Sequence, residues 1–140
     1  PLAYMMRAIA GYQLLEAEAS GALQPGGSKK ENKPDMMPEM RRARLRSIIA
    51  DFDKTIELSP NMPFAYYDKG NVLLEEDDLT SAVSAYTKAI ELKPDFGEAY
   101  YNRGYAYMKL GNRSAGAADL SKAGELGILS SYNLLKRMNR

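Results

Sequence analysis

Apolar residues recur along this chain at intervals of three and four, the spacing that places side chains on one face of an α-helix. One such run comprises Tyr66, Tyr67, Gly70, Leu73 and Leu74. A second run comprises Ala82, Ala85, Tyr86, Ala89, Ile90 and Leu92, and a proline follows it at position 94. Residues 75–81, EEDDLTS, separate the two runs, and the polar stretch EDD within them forms the turn. The pattern therefore predicts two helices joined by a tight turn.

The same two-helix pattern returns 34 residues later. Tyr66 corresponds to Tyr100 (100 − 66 = 34), and Gly70 corresponds to Gly104. Some positions recur three times at this interval, among them Phe52, Tyr86 and Leu120, and Glu57, Glu91 and Glu125. A fixed period of this length indicates a repeat architecture.

Polar residues mark where the predicted helices begin. Asp78 and Asn112 are placed to cap the second helix of each pair. Asn61 and Asp95 follow prolines and are predicted to cap the first helices. Glu98, three residues after Asp95, extends that second cap into a capping box.

The repeat resembles the tetratricopeptide repeat. In the first helix an aromatic residue is followed, four positions later, by glycine. The second helix carries a small residue, an aromatic residue and alanine, and a proline closes the unit. Residues 63–96 match throughout, whereas the next unit departs from the pattern at Arg113 and at Ile128, where a proline would close it. The resemblance implies an all-α fold, a right-handed superhelical array of antiparallel helix pairs, with about three pairs and a C-terminal capping helix.

Residues 1–140 are expected to form a single domain of this kind. Its parts would be a first helix pair at 2–60, repeats at 61–94 and 95–128, and a capping helix at 129–140. Residues 21–35, rich in Gly, Pro, Ser and Lys, are expected to form a mobile loop inserted in the first pair. The residues whose spacing predicts the capping helix are Leu129, Tyr132, Leu135 and Met138.

Composition narrows the function classes. The 19 basic and 18 acidic residues give a net charge of +1, which provides no overall field for nucleic acid. No apolar run approaches the roughly 20 residues of a membrane span, so no membrane insertion is expected. Cysteine and histidine are absent, and no set of nucleophile, base and orienting residue can be assembled. We therefore expect no enzyme activity and no cofactor. The chain begins with Pro1, which suggests a fragment or a processed form.

The resemblance implies that the first helix of each pair lines a concave groove. The groove residues would be Tyr12, Phe64, Tyr67, Asn71, Leu74, Glu98, Tyr101, Asn102, Tyr105, Met108 and Lys109. Such rings and exposed amides suit a peptide. For Tyr67, Tyr101 and Tyr105, packing against neighbouring helices is the competing interpretation, whereas Tyr66 and Tyr100 are expected in the core.

Three polar or charged features of the sequence are candidate binding sites. Some relatives bind a terminal carboxylate with two asparagines and several cations; Asn71 and Asn102 match that pair, but the cations do not follow, which argues against carboxylate capture. The acidic stretch at 75–78 is better explained by a solvated turn than by a cation site. The basic run at 41–46 is better explained by a solvated face than by a phosphate site.

The sequence thus predicts a non-enzymatic scaffold that binds a protein or peptide partner in the groove. Two alternatives remain open. One is a structural or oligomerisation segment of a larger chain, with its groove filled by its own loop or by self-association. The other is the helper domain of an enzyme encoded upstream of Pro1.

Overall fold

Helices make up the fold of the described residues. A computed structural model describes residues 4–5, 8–9 and 38–138, and no strand occurs among them. The helices are α1 (Pro38–Leu58), α2 (Pro63–Glu75), α3 (Leu79–Leu92), α4 (Gly97–Lys109), α5 (Arg113–Glu125) and α6 (Ser130–Met138). Each helix packs on the next, and α2 also contacts α4, so the chain forms a helical array as expected. The predicted loop at 21–35, Tyr12 and most of the predicted first helix lie outside the described residues.

The interhelical turns repeat with the same period as the sequence. Asp78 donates its backbone N–H to the Leu73 carbonyl at 2.9 Å, and Asn112 donates to the Tyr107 carbonyl at 2.9 Å. The residue before each donor has positive φ: 63° at Asp77 and 84° at Gly111. These bonds satisfy carbonyls that a helix end leaves open, and they direct the chain sharply into the next helix.

Side-chain caps start the second helix of each pair, as predicted. Asp78 Oδ1 accepts a hydrogen bond from the Ser81 backbone N–H at 3.3 Å. Asn112 Oδ1 accepts from the Ala115 backbone N–H at 3.2 Å.

The predicted caps of the first helices are wrong. Met62 and Phe96 occupy the N-cap positions of α2 and α4 and make no side-chain cap bond, so Asn61 and Asp95 lie outside the helices. Proline at the start of α2 already has helical φ, and the N–H that it lacks is one that would have no partner within the helix. At α4, Phe96 is 2% exposed, and burial of this ring fixes the start of the helix in place of a capping box.

The core alternates large rings with very small residues. Tyr86 and Phe52 are almost completely buried, and the helices can approach because glycine and alanine face the rings. A Cβ on Gly70 would lie 2.7 Å from Tyr86 Cε1, and a Cβ on Gly104 would lie 3.0 Å from the Gly116 carbonyl oxygen. The Tyr86 ring can therefore pack in this position only because residue 70, on the facing helix α2, is glycine.

Tyr66 and Tyr100 are less buried than expected. Both are half-buried and pack against the cluster of Ala89, Ile90 and Phe96. The Tyr66 hydroxyl donates to the Pro60 carbonyl at 3.1 Å, which keeps that end of the ring near solvent. Phe96, just before α4, occupies the fully buried place in this cluster.

The last helix packs on α5 with only part of the face predicted for it. Leu129 lies before the helix and is 71% exposed, and Tyr132 is also exposed, although its ring rests against Gly124. Ser131 is buried, and its hydroxyl donates to the Ile128 carbonyl at 2.7 Å. The capping role of this helix remains a prediction, as do the repeat boundaries.

A buried ion pair joins α4 to α5. Arg103 Nε and Nη2 donate to the two carboxylate oxygens of Asp119 at 2.7 and 2.8 Å, and Nη1 donates to Thr87 Oγ1 on α3 at 3.2 Å. Only 17% of the Arg103 side chain and 9% of the Asp119 side chain are exposed. The carboxylate raises the pKa of Arg103, although burial acts in the opposite direction.

Candidate functional site

The first helices of neighbouring pairs, α2 and α4, contact each other. Ten of the eleven predicted groove residues lie on these two helices; Tyr12 is the exception. We call the surface formed by those ten residues and Asp68 the α2–α4 face.

Aromatic rings cover the beginning of this face. The Phe64 ring is 51% exposed and lies 5.1 Å from the buried Phe96 ring, centroid to centroid. The Tyr67 ring is half-buried between Phe96 at 4.8 Å and Tyr86 at 6.0 Å. Tyr67 thus packs against its neighbours, as the competing interpretation held, whereas Phe64 leaves half of its surface for contact.

The two predicted amides bond to each other, contrary to the expectation that both are exposed and free. Asn102 Nδ2 donates to Asn71 Oδ1 at 2.8 Å and to the Tyr67 hydroxyl at 3.3 Å. Asn71 Oδ1 also accepts from the Tyr86 hydroxyl at 2.6 Å. Both amides are half-buried. The network links α2, α3 and α4, so these asparagines also contribute to packing.

The network leaves one donor and one acceptor open. The Asn71 amide hydrogen-bonds to the Tyr67 hydroxyl and so lowers the pKa of that group, but Nδ2 carries two N–H groups and the other remains available. Asn102 Oδ1 accepts no hydrogen bond from another residue in the described part of the chain, and every fully buried side-chain oxygen among those residues has a partner, so this oxygen reaches solvent. Such a donor and acceptor can pair with the carbonyl and N–H groups of a peptide backbone.

Of the remaining residues of the face, some are exposed and others pack between helices. Tyr105 is 38% exposed, with Lys109 Nζ 5.6 Å from its ring centroid, and Tyr101 is half-buried. Lys109 Nζ also pairs with Asp77 Oδ1 at 3.3 Å. Met108 packs close to Gly116, so it supports the helix pair more than it offers free surface.

Leu74 belongs to the packing side of the face. It is half-buried and packs against the cluster of Leu73, Ala82, Ala85 and Tyr86. Its side chain therefore links the α2–α4 face to the core rather than extending the contact surface.

The charges on this face that have no ion-pair partner among the described residues are acidic. Burial raises the pKa of Asp68 to about 6. Burial also raises the pKa of Tyr67, and the carboxylates of Glu98 and Asp68 raise it further. Glu98 is exposed in the first turn of α4. The two carboxylates therefore act on the same ring hydroxyl from two helices.

Replacing Asp68 with Asn is expected to stabilise the protein at pH 7. The folded carboxyl has a pKa above its unfolded value, so its stabilising effect is present at low pH and is lost as pH rises through about 6. Because the group keeps some contact with water, the gain is about 1 kcal/mol rather than the roughly 3 kcal/mol of a fully desolvated carboxyl.

Thermal melts at pH 7.5 and about pH 4 measure this difference. Asp68→Asn should melt above wild type at the higher pH and close to it at the lower pH, while Glu57→Gln on an exposed position of α1 should differ little at either. Equal stabilisation by Asp68→Asn at both pH values would contradict the claim that a buried, ionised Asp68 carboxylate destabilises the protein at neutral pH.

The other charged stretches have local partners. Asp77 forms a salt bridge with Lys109, and Asp78 caps the start of α3. Glu75 Oε1 pairs with Arg41 Nη2 at 2.9 Å. Among the described residues no group of three or more acidic, His or Cys side chains could hold a metal ion. No helix within the described ranges is long and apolar enough to cross a membrane.

The sequence did not indicate the roles of Phe96 and the Arg103–Asp119 pair. Phe96 packs against the Tyr67 ring, and the ion pair joins α4, one of the two helices of this face, to α5. The 34-residue comparison carried a signal for the ion pair, because Asp119 stands where the preceding unit has Ala85 (119 − 85 = 34). A carboxylate at a small, inward-facing position needs a buried partner.

Comparison with known families and structures agrees with this architecture. A family model described as TPR repeat matches residues 70–111, and one described as Tetratricopeptide repeat matches residues 97–126. No match was found among curated protein sequences.

Solved structures share the fold at low identity. The first TPR of Spaghetti (RPAP3), bound to the HSP90 peptide SRMEEVD, aligns with a TM-score of 0.66 and 19% identity over 71% of this chain and 80% of that one. The MamA RS-1 ArsTM double mutant aligns at 0.64 and 27%, over 72% and 61%. YrrB, described as a TPR protein with an unusual peptide-binding site, aligns at 0.62 and 23%, over 69% and 50%.

The chain spans only half to three-fifths of two of these three proteins. The 34-residue period, the repeated turns and the matched repeat models nevertheless agree with one another. Residues 70–126 of this chain consist of tetratricopeptide repeats.

Proposed function

We propose that this chain is a non-enzymatic scaffold whose α2–α4 face forms a concave groove that binds an extended peptide segment of a partner protein. The observation that carries the proposal is the Asn71–Asn102 amide network, whose second Asn71 N–H and whose Asn102 Oδ1 can pair with the carbonyl and N–H groups of a peptide backbone. Phe64 and Tyr105 offer exposed ring surface beside this pair. Two relatives support the proposal by analogy, since one is described with a bound HSP90 peptide and the other with a peptide-binding site.

The fixed geometry of the amide pair favours binding. The Tyr86 hydroxyl and Asn102 Nδ2 both hold Asn71 Oδ1, so the open Nδ2 atom has a set direction before a partner arrives. A donor that is already oriented loses little side-chain entropy on binding. The packing of these amides and their binding role are therefore compatible.

Asn71→Asp separates the two roles. A carboxylate retains Oδ1, which can still accept from Tyr86 and Asn102, but it replaces the open Nδ2 donor with an oxygen. We expect little change in melting temperature and a loss of affinity of about 1–3 kcal/mol, roughly 5- to 150-fold in Kd, because a partner carbonyl loses its donor.

The probe is a pool of uncharged peptides of about ten residues, long enough in extended form to cross both helices. Their termini are acetylated and amidated, Gln is fixed at the centre, and Ala, Ser, Pro, Leu and Phe vary around it. Peptides retained on immobilised protein are identified and titrated by calorimetry. The matched control is Asn133→Asp, the same change at an exposed position of α6. Retention of no peptide, or equal affinity for Asn71→Asp and wild type, would refute the proposal.

A further inference from the structure

Two carboxylates of the α2–α4 face have no cationic partner in the described part of the chain. Asp68 is half-buried on α2, and Glu98 is exposed at the start of α4. Both act on the Tyr67 hydroxyl, where they raise the pKa of that group after the larger effect of burial. One carboxylate on each of the two helices α2 and α4 therefore acts on the same ring hydroxyl.

The cations near this end of the face are already engaged. Lys93 Nζ pairs with Asp95 Oδ1 at 3.7 Å and lies 4.9 Å from the Phe96 ring centroid. Lys109 pairs with Asp77, at the other end of α4. Each lysine is thus balanced by its own carboxylate, and the charges of Asp68 and Glu98 remain uncompensated.

Asp68 is half-buried on α2, and burial raises the pKa of its carboxyl to about 6. A half-buried carboxylate without a partner is costly to the folded protein, and a bound cation would remove that cost.

We propose, on the basis of the function proposed above, that this groove selects a partner segment carrying a Lys or Arg side chain, which Asp68 and Glu98 bind beside the Phe64 and Tyr67 rings. The complementarity is both electrostatic and apolar. The carboxylates pair with the cationic head, while the rings cover the aliphatic stem and offer their faces to a guanidinium.

The same charges set the direction of the partner. Lys136 and Arg137 are exposed in the last turn of α6, beyond α4 along the array. They would repel a basic side chain at that end, so the Lys or Arg of the partner lies at the α2 end. An acidic segment would instead face Asp68 and Glu98 without compensation, which selects against it.

Peptides retained from the uncharged pool are resynthesised with Arg or Glu at the central position and titrated at low and high salt. We expect the Arg form to bind about tenfold more tightly than the Gln form, the Glu form to bind more weakly than both, and the preference to shrink at high salt. The double variant Asp68→Asn/Glu98→Gln should bring the Arg and Gln forms to within about twofold of each other.

The matched control is Glu57→Gln/Glu91→Gln, which changes the net charge equally. It does so at exposed carboxylates of α1 and α3, which pair with Lys54 and Lys88. This control should keep the full preference for Arg. Equal binding of the three peptide forms, tighter binding of the Glu form, or an Arg preference that survives Asp68→Asn/Glu98→Gln would overturn the inference and leave the peptide-binding function standing. If no peptide in any form binds, the proposed function fails as well.

Discussion

Arg103→Met is expected to lower the free energy of unfolding by about 3–5 kcal/mol, the typical cost of removing one partner from a buried ion pair. The substitution leaves the Asp119 carboxylate, whose side chain is only 9% exposed, without its two guanidinium bonds. It also removes the bond to Thr87, which ties α4 to α3. Denaturant unfolding followed by circular dichroism measures the loss.

Two further variants separate the buried charge from lost packing. Replacing both partners, as Arg103→Met/Asp119→Leu, removes the unpaired charge and should recover stability to within about 1 kcal/mol of wild type. Lys88→Met breaks only the exposed pair with Glu91 and should cost less than about 1 kcal/mol. If Arg103→Met proves no more costly than Lys88→Met, the pair is not buried as described.

Tyr86→Ala is expected to cost about 3–5 kcal/mol, because it removes a fully buried ring and leaves a cavity against Gly70. Tyr86→Phe should cost only about 1 kcal/mol, because the ring remains and Asn71 Oδ1 keeps its bond from Asn102. Tyr105→Ala, at an exposed ring of α4, is the control and should change stability by about 0.5 kcal/mol or less.

Denaturant unfolding of the three variants checks this order. A Tyr86→Phe variant as unstable as Tyr86→Ala would show that the hydroxyl, and not the ring, dominates at this position. A Tyr105→Ala variant with a comparable loss would place that ring in the core.

The helical array was predictable from the sequence because its determinants are local and repeated. The period of 34 and the caps at Asp78 and Asn112 depend on residues close in the chain, and both appear in the structure. The starts of the first helices were mispredicted because burial of Phe96 and the proline at the start of α2 determine them, and neither effect is visible in a capping pattern.

The site was harder to predict because its bonds cross between helices. Position in the repeat places Asn71 and Asn102 on first helices, but only the structure shows that they bond to each other and to the Tyr86 hydroxyl. The same holds for Asp68, because the burial that raises its pKa is visible only in the folded protein. Repeat register identifies which residues share a surface, whereas their bonding depends on how closely the helices approach.

The most direct test of peptide binding at the α2–α4 face is an NMR titration of isotope-labelled protein with the tightest peptide retained from the pools. We predict that shift changes concentrate on α2 and α4, and that the side-chain amide signals of Asn71 and Asn102 move together with the same apparent Kd. Changes confined to the exposed surfaces of α3 and α5, with both asparagine side-chain signals unmoved at saturation, would contradict the account.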